Sequence, residues 1–188
     1  MFLPRFLHRT LGVVSLLLIF ALGVTVSYAA PSVTIVELGG TTLVTEGGAT
    51  DNYTIVLGEI PSGDVTITLT PNAQVSLSAA TLTFTTLNWF TAQTVTVTAV
   101  NDFVAEGAHS GTITHSATGG GYTGVTIVGV TAAITDNDVK GVTIAESGGT
   151  TLVTEGGATD TYTAVLTSQP TADVIITIIT ADGQTTAL

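Results

Sequence analysis

The sequence predicts an all-β protein: an immunoglobulin-like antiparallel β-sandwich, repeated in tandem, with the second copy truncated. Three observations carry this expectation. The first is alternation. "DVTITLT" (64–70) and "QTVTVTAV" (93–100) place Val, Ile or Leu on one face and Thr on the other, the period of two that a half-buried strand requires. The second is composition: 45% of residues are hydrophobic and only 9% charged, with Gly, Thr and Val abundant. That balance opposes disorder and suits a pleated surface. The third is repetition, since "GGTTLVTEGGATD" at 39–51 recurs letter for letter at 148–160.

The chain opens on a segment of another kind. "MFLPRFLHRT" carries Arg5, His8 and Arg9, an apolar run "LGVVSLLLIFALGV" follows, and "TVSYAAPS" supplies small residues at its exit. A basic start, an apolar centre and a small-x-small exit predict a secretory signal peptide over 1–30. An uncleaved membrane anchor is the alternative, because the apolar stretch approaches the ~20 residues that span a bilayer. The chain is therefore expected to be secreted or displayed at a cell surface.

Strands are then expected at 33–37, 43–46, 51–57, 64–70, 80–85, 93–100, 111–116 and 124–135. Turn residues separate them: "GG" at 39–40 and 47–48, "PSG" at 61–63, "PN" at 71–72 and "GGG" at 119–121. Short strands at this spacing over about 105 residues are the pattern of an immunoglobulin-like sandwich. The first repeat is assigned to 31–138 and a partial second repeat to 139–188. Residues 33–69 and 142–178 are identical at 26 of 37 positions, an offset of 109 residues, which is the size of a domain rather than of a solenoid unit. The second copy covers only the first three strands, so the chain is expected to be a piece of a longer repeat protein.

Charge narrows the function. Both arginines lie within 1–30, so beyond that segment fourteen carboxylates face one lysine, Lys140, a side-chain balance of −13. Such a chain repels nucleic acid and attracts cations. There is no cysteine, which removes disulfides, thiol catalysis and zinc–thiolate sites. No nucleophile elbow, zinc-protease motif or phosphate-binding glycine loop is present, and the chain is not expected to be an enzyme. His109 and His115 read as structural or solvent-facing strand residues.

The carboxylates fall in an informative order. In an alternating sandwich every other strand leaves at the same pole. The exits of 43–46, 64–70, 93–100 and 124–135 carry Glu46 with Asp51 across the turn, Asn72, Asn101-Asp102 with Glu106, and Asp136-Asn137-Asp138. Like charges brought together without basic partners repel, unless their loops splay into water or a hard divalent cation binds. Calcium, which takes 6–8 oxygens, is the expected ion. Trp89 and Phe90 at the entry of 93–100 are expected to plug the end of the core.

"TEGGATDNYTIVL", "LTFTTLNWFTAQTVTVTAVNDFVAEG" and the closing "ITDND" together resemble the Calx-β domain, in the form found as tandem repeats in bacterial surface proteins. The resemblance covers 33–138 and, in part, 142–188. It implies calcium ligands at Glu46, Asp102, Glu106, Asp136 and Asp138, with Glu155 as the second-copy counterpart of Glu46. It also implies a role in adhesion or display, with calcium and neighbouring repeats of the chain as partners. A calcium-independent spacer in a larger surface protein is the other function the sequence allows. Two departures bear on the ion: Asn101-Asp102 stands where the family carries an Asp-Asp run, and the second acid of its Glu-x-x-Glu is missing, with His109 nearby.

Overall fold

The computed structural model describes residues 29–179. The signal peptide expected over 1–30 therefore lies almost wholly outside the described residues. Nine strands build the first copy: β1 (Val33–Glu37), β2 (Thr42–Thr45), β3 (Asp51–Leu57), β4 (Val65–Pro71), β5 (Val75–Leu77), β6 (Thr81–Phe84), β7 (Gln93–Ala99), β8 (His109–Gly119) and β9 (Val130–Thr135). They form two layers, one ordered β1-β3-β7-β5 and the other β2-β9-β8-β4-β6. There is no α-helix among the described residues. The chain is thus an antiparallel β-sandwich with one parallel contact, between β2 and β9.

The alternating residues close the space between the layers. Tyr53, Ile55, Val65, Ile67, Val95 and Val97 are fully buried, while the threonines between them face outward. Each buried aliphatic side chain contributes about 1.5–3 kcal/mol relative to exposure, so this inner face is the main source of stability. The Tyr53 hydroxyl meets His115 Nε2 at 3.0 Å, and the two rings stand edge to face. Burial pushes the His115 imidazole below its ordinary pKa, consistent with a neutral, structural ring.

Two excursions switch layers without changing direction. β1 and β2 run the same way but lie in different sheets, joined by a single 3-10 turn at Leu38–Gly40 in which Gly39 takes φ +80°. β5 and β6 do the same, since β5 is antiparallel to β7 and β6 is antiparallel to β4. The short strand β5, absent from the sequence reading, therefore leaves the polarity of every later strand intact.

Two expectations need correction. The strand expected over 124–135 begins only at Val130. Continuing the β8–β9 register beyond Ile113 and Val130 would set His115 opposite Val128. Instead the His115 Nδ1 takes the Val128 carbonyl at 3.1 Å, and the ladder stops. Val125 and Ile127 still pack on the core from this irregular segment. The Trp89–Phe90 pair splits as well: Trp89 packs against the core, while Phe90 is 64% exposed.

The second copy contributes β10 (Val142–Glu146) and β11 (Tyr162–Leu166), paired from Val142↔Leu166 to Glu146↔Tyr162. That register repeats β1–β3, which runs from Val33↔Leu57 to Glu37↔Tyr53. The segment matching β2, 151–154, forms no strand, and neither does 174–179, which matches β4 up to its last residue. β2 is held by β9, and β4 by β6 and β8; these have no counterparts among the described residues of the second copy.

Candidate metal centre

β2, β4, β7 and β9 all end at one pole, and β8 begins there. β2 delivers Glu46. The Glu46 N–H donates to the Thr135 carbonyl at 3.0 Å, extending the parallel β2–β9 ladder by one bond and setting Glu46 beside Asp136. Gly47 then turns with φ +59°. A Cβ there would stand 2.8 Å from Asn101 Oδ1 and 3.0 Å from Asn137 Nδ2, so the Glu-Gly pair has steric as well as torsional grounds. Those two amides bond to each other at 2.8 Å and tie the β7 exit to the β9 exit above the glycine.

Glu46 is only 2% exposed, an expensive place for a carboxyl group. Burial raises its pKa, and the carboxylates of Asp136 and Asp102 add to the rise; the Asp102 N–H, 3.4 Å from Oε2, offsets part of it. Asp136 shows the opposite displacement. Its Oδ1 accepts the Asp138 N–H at 2.7 Å and its Oδ2 the Gly107 N–H at 2.6 Å, which hold it below the usual carboxylate range.

Of the four buried side-chain atoms without a hydrogen-bond partner among the described residues, one is Asn52 Oδ1 and three belong to ligand candidates: Glu46 Oε1, Asp138 Oδ2 and His109 Nε2. Two triads arise from them. Ligand atoms of Glu46, Asp136 and Asp138 lie within 4.8 Å of one another, and so do those of Glu46, Glu106 and His109. Glu46 is common to both. The first triad offers oxygen alone, the donor set of a hard divalent cation, so the residues present fit calcium.

The structure thus brings Glu46, Glu106, Asp136 and Asp138 together. Asp102 adjoins them through its backbone, but its Oδ1 accepts the Val104 N–H at 2.7 Å in a local turn, and its carboxylate belongs to neither triad. Glu155 is exposed in the second copy and stands apart from both triads. Asp51 and Asn72 serve turns instead: Asp51 accepts the N–H groups of Leu43 and Asn52, and Asn72 accepts that of Gln74. His109 is the functional candidate that residue-type reasoning passed over. Its signal is its spacing, three residues beyond Glu106 at the entry of β8.

Fold and pole together define an antiparallel β-sandwich with an acidic, cation-compatible end. No protein-family profile matches the chain, and no curated protein matches it. Several solved structures bear a weak fold-level resemblance, and three of them are as follows. The apo-form Calx CBD1 domain is 18% identical over 57% of this chain and 99% of that one, with a TM-score of 0.40. The E. coli chaperone DraB is 7% identical over 61% of this chain and 60% of its own, at 0.42. The E. coli alpha-2-macroglobulin is 13% identical over 64% of this chain and 8% of its own, at 0.39.

Proposed function

We propose that the chain is a secreted or cell-surface repeat module that binds calcium between Glu46, Asp136 and Asp138, and that it serves adhesion or display as part of a longer surface protein. One observation carries the reading: a buried Glu46 Oε1 and a buried Asp138 Oδ2, both without a hydrogen-bond donor, beside a third carboxylate. A divalent ion would supply positive charge to carboxylates whose only ion-pair partner among the described residues is His109. The motif resemblance to Calx-β domains points the same way, and the apolar leader with its small-residue exit supports export.

Thermal unfolding of the chain without residues 1–30, in millimolar calcium and then in chelator, tests the reading. A ligand at a hundred times its dissociation constant stabilises by ~2.7 kcal/mol, enough to raise the midpoint by several degrees. The rise is expected with calcium, to be smaller with magnesium, and to vanish in the Asp136→Ala, Asp138→Ala double variant. An unchanged midpoint would leave a calcium-independent spacer.

A further inference from the structure

We propose that Glu46, Glu106 and His109 form a second subsite at the same pole, one that takes a borderline divalent transition ion of the zinc type. It rests on the reading of this pole as a cation site, and assigns to its other half a different ion.

The argument begins with the His109 tautomer. Nδ1 lies 2.9 Å from the Gly107 carbonyl oxygen. A carbonyl can only accept, so Nδ1 carries the hydrogen and, in the neutral ring, Nε2 keeps its lone pair. That atom is buried without a hydrogen-bond partner, 3.5 Å from Glu46 Oε1 and 3.4 Å from Glu106 Oε2. Three acceptors thus converge. Glu46 Oε1, on a side chain 1% exposed, also lacks a donor. With the ring neutral none of the three has a donor to offer the others, and a metal cation satisfies all three at once.

The donor set says which cation. Calcium takes oxygen ligands, whereas imidazole suits zinc and its neighbours. A tetrahedral ion with bonds of about 2.0–2.2 Å holds its ligand atoms about 3.4 Å apart, close to both separations seen here. The imidazole is also braced as metal-bound rings are, with its other nitrogen donating to a backbone carbonyl. Gly107 provides that brace at φ +75°, and its N–H holds Asp136, so one residue couples the two subsites. His115 makes the contrast: both of its nitrogens are engaged, by Tyr53 and Val128. An imidazolium clasped by the two carboxylates is the competing arrangement, and it would bind no metal.

Cobalt(II) is the probe, added to the chelator-treated, tag-free chain without residues 1–30 and displaced with zinc. The expected result is the intense visible absorption of four-coordinate cobalt at one equivalent, together with a zinc-induced rise in the unfolding midpoint. Both should be lost in His109→Gln, while the calcium-induced rise persists. Removing even a bracing group typically weakens a site about 10–100-fold, so loss of the ligand itself should exceed that. Asp138→Asn should do the reverse, losing the calcium response and keeping the cobalt spectrum. If His109→Gln fails to fold, Glu106→Gln removes a more exposed ligand of the same subsite and is read in the same way. Absence of a cobalt spectrum, or one unchanged in these variants, overturns the proposal. A calcium response without cobalt binding would sink this subsite alone. His-dependent cobalt binding without a calcium response would sink the calcium reading and leave this one standing, and silence with both ions would end both.

Discussion

Asp51 and Glu46 lie on either side of one tight turn, and their carboxyls are displaced in opposite directions. Glu46 is raised by burial among like charges, whereas Asp51 is lowered by two backbone donors, Leu43 N–H at 2.8 Å and Asn52 N–H at 2.7 Å. The second copy shows which role travels with the repeated phrase. There Asp160 accepts from Leu152 and Thr161 at the same 2.8 and 2.7 Å, while Glu155 is exposed. The aspartate builds a turn wherever the phrase occurs; the glutamate meets ligands only where β7, β8 and β9 bring them. A folded pKa below the ordinary 3.8 means that Asp51 contributes stability above that value and loses it as pH falls through the lower folded value. Asp51→Asn is therefore expected to cost about 1 kcal/mol at neutral pH, since the bonds are partly exposed. Urea unfolding at a series of pH values should show the gap between wild type and variant closing below pH 3.8.

Strand alternation made the elements legible, because buried apolar positions alternate with outward threonines over β4 and β7, and with Asn52, Thr54 and Val56 over β3. The order of the exits was legible too. It survived a missed strand because 75–84 crosses from one sheet to the other while keeping its direction. What the sequence hid depends on partners distant along the chain. β9 begins only beyond Val128, whose carbonyl is taken by the His115 side chain 13 residues away. Asp102 and Asp138 look alike as letters, yet one spends its oxygen on its own turn and the other is left with a bare, buried Oδ2. His109 read as an ordinary strand residue because its importance comes from Glu46, brought in by β2. Packing between layers adds a constraint of the same kind at Gly111. A Cβ at this buried β8 position would lie 2.5 Å from Val75 Cγ1 on β5, in the facing sheet. Val75 is β-branched and buried, so it has little freedom to turn away. Gly111→Ala is expected to destabilise by about 1–3 kcal/mol through overpacking, seen as a lower urea midpoint with an unchanged slope. A neutral result would mean that β5 yields freely at its edge of the sheet.

The second copy touches the first beside the acidic pole, through a loop whose sequence differs between the copies. "LGEIPSG" in the first copy has become "LTSQPTA" in the second. In the second copy this loop is held from two sides: Thr167 Oγ1 donates to the Val139 carbonyl at 2.5 Å, at the start of the same repeat, and Gln169 N–H donates to the Phe103 carbonyl of the first copy at 2.6 Å. Phe103 follows Asp102 directly, and Val139 follows Asp138. The bonds at the joint are thus attached to the same two loops that hold the candidate ligands. An ion between Glu46, Asp136 and Asp138 would fix the β9 exit and hold Val139 in place, whereas unrelieved repulsion among the carboxylates would loosen both. Amide hydrogen exchange measures this directly, because local opening reports the free energy of each segment. Calcium is expected to slow exchange at Thr167 and Gln169 as well as around Glu46, and Asp138→Asn should abolish the effect at all three places. Protection confined to Glu46 and its neighbours would mean that the ion stabilises the sandwich without reaching the joint, and a role in stiffening the array of repeats would have to be given up.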